Sequence, residues 1–338
     1  MNAIVSKEIR LASRPVGMPT ADNFELAEVT MPDLADRQVL IRNDWLTVDP
    51  YMRGRMYDMK SYVPPFQIGE PLQGGAVGEV VESRNDAFPV GTFVNHMDGW
   101  REYAINDATM LQKIDPSLAP LQTFLGALGM PGLTAYGGLL TIGQPKEGET
   151  VFVSAASGAV GQLVCQIAKI KGCRVVGSAG GKEKCDWLTE VAGIDAAVDY
   201  KACATQGELQ AAVAEACPKG IDIYFENVGG DHLTTALNLA NPWARIPMCG
   251  TISTYNAMEK PEGISNLSMV IGKRIRMEGF ISFDYIGMAD DFTRDMAGWI
   301  KSGEVKLKED VVEGVENTPQ AFMNLFTGGN FGKMLVKV

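Results

Sequence analysis

The chain has 338 residues, enough for two domains that each bury a hydrophobic core. Its formal net charge of −11 argues against a polyanionic partner, so no nucleic-acid binding is expected. No uninterrupted run of about 18 apolar residues occurs, so the sequence predicts neither a membrane-spanning helix nor a membrane partner.

The segment up to Gly17 carries several charges and lacks the apolar stretch of a secretory signal, which indicates a cytoplasmic protein. Six cysteines lie between Cys165 and Cys249 without a Cys-x-x-Cys pair, a pattern typical of reduced intracellular proteins. The two histidines, His96 and His232, are far apart in sequence, and we therefore predict no metal site. We expect His96 to be a surface residue and not a general base.

Residues 1–115 are predicted to be rich in short strands that alternate with turns containing Gly and Pro, as in a compact barrel-like domain. The predicted strands are 25–29, 38–42, 76–82, 92–95 and 103–105. A polar and aromatic stretch, 49–57, lies between them and leads through Tyr62 to a stiff Pro64-Pro65 loop.

Small and apolar residues dominate from Leu118 onward, and two helices separated at Pro131 are predicted there. A strand beginning at Val151 then runs into a glycine-containing turn and an apolar helix. In such a strand–turn–helix unit, backbone N–H groups at the start of the helix can bind the pyrophosphate of a dinucleotide. The turn residues that would form this cofactor cradle are Ser157, Gly158, Ala159, Val160 and Gly161.

The next predicted strand, 174–178, ends in Ser178-Ala179-Gly180-Gly181, where an NAD-binding unit would carry Asp or Glu. A carboxylate there would bind the ribose 2′-hydroxyl and repel a 2′-phosphate. The Ser178 hydroxyl, followed by Lys182 and Lys184, favours the phosphate instead, so the sequence predicts NADP(H) as the cofactor.

Helices and strands continue to alternate after this point, which predicts a doubly wound parallel sheet. Ligands of such sheets bind at the carboxyl ends of the strands, and the turns at Asn227 and Gly250 fall at two of those ends. The segment 253–267 is predicted to be a loop, 277–281 a late strand, 291–300 a helix and 332–338 a closing strand.

Taken together, these residues resemble the zinc-free branch of the medium-chain dehydrogenase/reductase family. This branch includes leukotriene B4 12-hydroxydehydrogenase/prostaglandin reductases, plant alkenal double-bond reductases and bacterial curcumin reductases. The stretch Asp49-Pro50-Tyr51-Met52-Arg53, with Lys60-Ser61-Tyr62, is most similar to the bacterial curcumin-reductase-like members. The stretches that carry the resemblance are 48–56, 155–161, 226–230, 249–256, 276–280 and 330–333.

The resemblance implies an α/β protein with a GroES-like, β-rich substrate domain and a Rossmann domain inserted within it. The implied boundaries are 1–122 and 301–338 for the substrate domain, and 123–300 for the NADP-binding domain. It also implies NADPH-dependent reduction of the C=C bond of α,β-unsaturated ketones or aldehydes. The substrate is then a small enone or enal, and a homodimer is expected by analogy.

The resemblance also implies roles for particular residues. Tyr51, Tyr62 and Tyr255 would line the substrate cleft as candidate catalytic residues. Lys184 and Tyr200 would hold the 2′-phosphate, and the remaining cofactor-binding positions would be Asn227, Gly250, Thr251, Phe280 and Asn330. One stretch departs from the mammalian prostaglandin reductases: Val270-Ile271-Gly272-Lys273 stands where they carry a tyrosine, so their pocket cannot be transferred at that position.

The expected reaction adds hydride to the β-carbon and develops an enolate, which tyrosine or ribose hydroxyls would stabilise without a metal. Two alternatives stay open. NADPH-dependent quinone reduction would use the same cofactor, and a non-enzymatic, crystallin-like binding role would leave the cofactor turn without catalytic use.

Overall fold

The computed structural model describes residues 3–338, which divide into two compact units. The first unit comprises the described residues up to Leu125 together with Glu309–Asn330 and Met334–Val338. The second unit comprises Gly126–Lys308 and Phe331–Lys333. The mixed α/β class predicted from the sequence is confirmed.

The regular elements are numbered in chain order. The strands are β1 (Val5–Leu11), β2 (Phe24–Thr30), β3 (Val39–Thr47), β4 (Ala76–Ser83), β5 (Phe93–His96), β6 (Tyr103–Asn106), β7 (Gln112–Lys113), β8 (Thr150–Val153), β9 (Arg174–Ala179), β10 (Ala196–Asp199), β11 (Ile221–Phe225), β12 (Ala240–Met248), β13 (Arg276–Gly279), β14 (Glu309–Glu313) and β15 (Lys333–Lys337). The α-helices are α1 (Met52–Arg55), α2 (Met130–Gly137), α3 (Gly161–Ile170), α4 (Lys182–Glu190), α5 (Gln206–Ala216), α6 (Gly230–Leu239), α7 (Ser268–Lys273), α8 (Ala289–Ser302) and α9 (Thr318–Thr327). No helix within residues 3–338 is long and apolar enough to cross a membrane.

The first unit is built on a sheet with the strand order β14-β15-β3-β4-β5-β7, in which β6 also pairs with β3. A separate antiparallel pair is formed by β1 and β2. The core beside these strands contains Trp100, stacked on Phe24 and edge-on to Phe322. The buried positions of β1 include a charged residue, Glu8, which is paired with Arg10. The sequence of β1 therefore lacks a regular alternation of apolar and polar residues, and periodicity does not predict a strand there.

The second unit contains a six-stranded parallel sheet in the order β10-β9-β8-β11-β12-β13. Numbered from its own first strand, this is the 3-2-1-4-5-6 order of dinucleotide-binding domains. The four residues of β8 are all buried, as expected for a strand covered on both faces. The strand order reverses between β8 and β11, so a ligand crevice is expected at their carboxyl ends.

Two helical segments lie where the sequence predicts them, but the break falls before Pro131: a 3-10 helix, Leu121–Leu125, ends ahead of it, and α2 begins at Met130. Pro131 lies in the first turn of α2, where the missing N–H of proline removes no helical hydrogen bond. The chain continues from α2 directly into a π-helical segment, Gly138–Gly143.

The expectation that His96 lies at the surface is also wrong. His96 is 2% exposed, and its Nε2 lies 2.9 Å from the Asn43 side-chain oxygen. Its Nδ1 accepts a hydrogen bond from the Asp98 backbone N–H. Asn43 comes from β3 and Asp98 from the residues just after β5, and together they satisfy a neutral imidazole inside the first unit.

Candidate functional site

The turn after β8 is shaped by a close approach of backbone to backbone. Ala155 adopts a left-handed conformation with φ of 47°, and the Gly158 N–H donates to the Ala155 carbonyl. A Cβ on Gly161 would lie 2.2 Å from the same carbonyl oxygen, so the start of α3 can pack here only as glycine. Val160 precedes α3 as its N-cap residue, and Ala159 lies between it and Gly158.

A segment from the end of the chain lies against this turn. The Gly332 N–H donates to the Ser157 carbonyl, and Gly332 forms a bridge to Gly158. Gly332 has φ of 84°, and a Cβ there would clash with the Lys308 carbonyl oxygen. Asn330, predicted from the sequence as a cofactor-binding residue, immediately precedes this segment.

The turn after β11 is held by a buried carboxyl group. One Glu226 side-chain oxygen accepts hydrogen bonds from the Tyr224 hydroxyl at 2.7 Å and from the N–H groups of Val228 and Gly229 at 2.7 and 2.9 Å. Burial raises the pKa of Glu226. Sequence analysis missed this role, although a glutamate at the end of an apolar strand was a visible signal.

The same turn orients Asn227. Its backbone N–H donates to the Ser154 hydroxyl, and its side-chain amide donates to the Ser154 carbonyl at 2.8 Å. Since Ser154 follows β8 and Asn227 follows β11, the amide is fixed at the reversal of strand order.

The turn after β12 brings Tyr255 to Gly250 and Thr251. The Thr251 N–H donates to the Tyr255 hydroxyl oxygen at 3.3 Å, and a Cβ on Gly250 would lie 2.9 Å from that oxygen. A tyrosine hydroxyl carries one proton, and accepting this hydrogen bond does not use it. The Gly250 N–H in turn donates to the Glu226 carbonyl.

Ser178, near the end of β9, and the lysines of α4 lie in different surroundings. The Ser178 side chain is fully buried, and its hydroxyl lies 2.9 Å from His232 Nε2. Lys182 is exposed and paired with Asp186, whereas Lys184, two positions further along α4, is half-buried. The Ser178 hydroxyl therefore faces the interior of the second unit, whereas Lys184 is partly accessible.

Two residues after β10 approach the glycine loop that follows β9. A Cβ on Gly180 would lie 2.8 Å from the Tyr200 hydroxyl and 2.9 Å from Lys201 Cε. Asp199 links the two segments, because its side chain accepts from the N–H groups of Gly181 and Lys201. Lys201 was missed by sequence analysis, although it directly follows the predicted phosphate-binding Tyr200.

Phe280, which follows β13, packs its ring over a glycine. A Cβ on Gly138 would lie 2.3 Å from the Phe280 ring, which also contacts the rings of Phe225 and Tyr285. Because Gly138 has no side chain, the Phe280 ring can pack directly against the π-helical segment in the second unit.

In the first unit, Tyr51 precedes the short helix α1 and is hydrogen-bonded to the Arg55 side chain. Burial raises the pKa of Tyr51, so its hydroxyl stays protonated at neutral pH. Tyr62 is 59% exposed, and its hydroxyl interacts electrostatically with both Tyr51 and Arg55. The two candidate tyrosines of this unit thus share one arginine.

Within residues 3–338, no group of three or more His, Cys, Asp or Glu side chains is arranged to hold a metal ion. The six cysteines are unpaired in the structure.

Two family models match the chain. Residues 7–114 match the model described as the N-terminal domain of oxidoreductase, and residues 159–302 match the model described as zinc-binding dehydrogenase. The curated relatives include an NADPH-dependent curcumin reductase from Escherichia coli, 48% identical over 97% of this chain and 95% of the relative. A 2-alkenal reductase (NADP(+)-dependent) from Nicotiana tabacum is 46% identical over 99% of this chain and 98% of its own.

Among solved structures, CurA from Vibrio vulnificus in complex with NADPH is similar, with a TM-score of 0.92 and 47% sequence identity. The match covers 98% of this chain and 99% of that chain. Similarity of this extent includes both units of the fold described above.

Proposed function

The chain belongs to the medium-chain dehydrogenase/reductase family, and we propose that it uses NADPH to reduce the C=C bond of α,β-unsaturated ketones and aldehydes. The observation that carries this proposal is the near full-length identity of 48% with a curcumin reductase and 46% with a 2-alkenal reductase. Both relatives are named for NADPH- or NADP-dependent reduction.

The residues of the second unit fit NADPH. The turn from Ser157 to Gly161 leads into the ten-residue helix α3, whose N-terminal N–H groups can bind phosphate. The loop after β9 lacks a carboxylate, and Tyr200 and Lys201 approach it at Gly180. These groups favour a ribose 2′-phosphate over a 2′-hydroxyl. Asn227, Thr251 and Phe280 would then surround the nicotinamide end.

When bound, NADPH supplies a hydride to the β-carbon of the substrate. The electron pair of the C=C bond shifts toward the carbonyl, and negative charge develops on its oxygen. A tyrosine hydroxyl that donates a hydrogen bond to this oxygen stabilises the enolate, and a proton from that hydroxyl or from water completes the saturated product at the α-carbon. Tyr51, Tyr62 and Tyr255 are the candidate donors.

The test is NADPH consumption with 4-phenyl-3-buten-2-one as the enone, followed by product analysis by NMR. We expect the saturated ketone, with the carbonyl intact. An allylic alcohol as product would contradict the proposal. Consumption of NADPH with 1,4-benzoquinone but not with enones would favour quinone reduction instead.

We also propose a homodimer in the cytoplasm. Strand β13 is an outer strand of the six-stranded sheet, and Trp243 and Ile271 near this edge are 67% and 81% exposed. An outer strand with apolar neighbours can pair with a second copy. Light scattering should give twice the chain mass; a single-chain mass at micromolar concentration would contradict the dimer.

The cytoplasmic location is supported by the cysteines, which form no disulfide bond in the structure and are compatible with a reducing compartment.

A further inference from the structure

Arg55 is anchored more firmly than a surface arginine. It lies at the end of α1 and is 6% exposed. Its Nε donates to the Pro64 carbonyl at 2.9 Å, and its Nη2 donates to the Gln73 side-chain oxygen at 2.8 Å. The guanidinium carbon, Cζ, also lies 4.0 Å from the centre of the Phe66 ring. These contacts hold the side chain in one orientation.

The Arg55 guanidinium is also hydrogen-bonded to the Tyr51 hydroxyl. An arginine side chain has donors only, so the tyrosine oxygen must accept this bond. The single proton of Tyr51 is then directed away from Arg55. Burial and the Asp49 charge raise the pKa of Tyr51, and the positive charge of Arg55 opposes this, so the O–H is a stronger hydrogen-bond donor with Arg55 in place than without it.

A second buried arginine on the same helix provides a contrast. Arg53 is fully buried, and its Nη2 donates to the carbonyl of Gly17 and to the Tyr57 hydroxyl. Its partners tie α1 to the loop that follows β1. Arg53 therefore has the chemistry of a structural arginine, whereas Arg55 is directed at a candidate catalytic tyrosine.

We propose that Arg55 is a positioning residue that acts through Tyr51, turning the tyrosine O–H toward the carbonyl oxygen of the substrate. This inference rests on the proposed enone reduction and adds a residue to which the sequence analysis gave no role. The pair behaves as one donor: Tyr51 contacts the substrate, and Arg55 sets the direction and strength of its hydrogen bond.

The test is a double-mutant cycle on the full chain with NADPH and 4-phenyl-3-buten-2-one. The variants are Tyr51→Phe, Arg55→Lys and the combination of both, with Arg53→Lys as the matched control. Lysine keeps the charge but cannot hold the Pro64 and Gln73 contacts together with Tyr51. We expect Arg55→Lys to lower kcat about 10- to 100-fold with little change in KM, because a misdirected donor weakens transition-state contacts.

In the Tyr51→Phe background, the same Arg55→Lys change should alter kcat less than about twofold, because the interaction is already lost. Arg53→Lys should lower the melting temperature and leave kcat within a few-fold of the wild type. A second disruption, Gln73→Leu, removes one anchor of Arg55 without altering its charge and should lower kcat in the same Tyr51-dependent way. The Gln73→Leu variant also tests the inference if the Arg55→Lys protein unfolds below the assay temperature.

Equal losses of kcat from Arg55→Lys in the wild-type and Tyr51→Phe backgrounds would overturn the inference and leave enone reduction standing. An unchanged kcat in Tyr51→Phe would overturn it as well, since Arg55 would then have no donor to position. A wild-type chain that consumes no NADPH with enones would remove both the proposed function and this inference.

Discussion

At the scale of single residues, hydrogen-bond direction is what distinguishes the candidate tyrosines from ordinary packing aromatics. Tyr255 accepts from the Thr251 N–H, and Tyr51 accepts from Arg55. Accepting these hydrogen bonds does not use the proton of either hydroxyl. Tyr62 is the most exposed of the three, so the position of its hydroxyl depends most on contacts with the bound substrate.

We predict that phenylalanine at one of Tyr51, Tyr62 and Tyr255 lowers kcat by about 10²–10³ with KM little changed, as for loss of a preorganised donor. Steady-state kinetics of the three single variants measure this. If every variant stays within a few-fold of the wild type, water or the cofactor ribose supplies the hydrogen bond, and the tyrosines only shape the pocket.

Cofactor choice is a second property decided by single residues. Lys184→Ala and Lys201→Ala should each weaken NADPH binding by about 1.5–3 kcal/mol, or roughly one to two decades, and leave NADH nearly unchanged. Lys182→Ala is the control, because Lys182 is already paired with Asp186 at the surface. Fluorescence titration with both cofactors gives the dissociation constants. Equal losses for NADPH and NADH would show that neither lysine binds the 2′-phosphate.

At the scale of elements, the contact between β8, its turn and α3 fixes where the cofactor helix begins. The contact depends on a glycine with no space for a side chain, since a Cβ on Gly161 would lie 2.2 Å from a backbone oxygen. Backbone cannot move aside as a flexible side chain can. A side chain at position 161 would therefore force the start of α3 to shift, together with the N–H groups that can bind phosphate.

Gly161→Ala should therefore lower the free energy of unfolding by about 1–3 kcal/mol, the usual cost of overpacking, and weaken NADPH binding as well. Gly272→Ala is the matched control, because a Cβ at this position in α7 meets no atom within 4 Å. Thermal unfolding with and without NADPH separates the two effects. A Gly161→Ala protein as stable as the Gly272→Ala protein would contradict the close packing.

At the scale of the whole molecule, each unit encloses one neutral histidine. Burial lowers the pKa of His96 and of His232 to about 4, against an ordinary value of 6.5. His96 is influenced by Asp98 and Arg101, and His232 by Asp231. The unfolded chain takes up protons at a higher pH than the folded chain does.

Stability should therefore be fully retained above about pH 6.5 and fall as the pH drops toward about 4. Melting temperatures measured between pH 7.5 and about pH 5.5 test this before most carboxylates titrate. Substituting both histidines by glutamine should flatten the slope in this window, even if it lowers the melting temperature at neutral pH. An unchanged slope would show that other groups cause it.

The sequence by itself determined the type and order of most elements and the family of the chain. The strands and helices of the second unit follow from local periodicity, and the cofactor turn follows from adjacent residues, so both can be inferred without packing. The missing carboxylate after β9 is equally local. The family resemblance inferred from short stretches is confirmed by relatives that match nearly the full chain.

Only the tertiary structure decided which side chains face one another. Ser178 meets His232, Lys201 approaches Gly180, and Arg55 is anchored by Gln73. These partners are 18 or more positions apart, and no local pattern records them. Burial of His96 belongs to the same class, because a buried polar group needs hydrogen-bond partners and one of them, the Asn43 side chain, is 53 positions away.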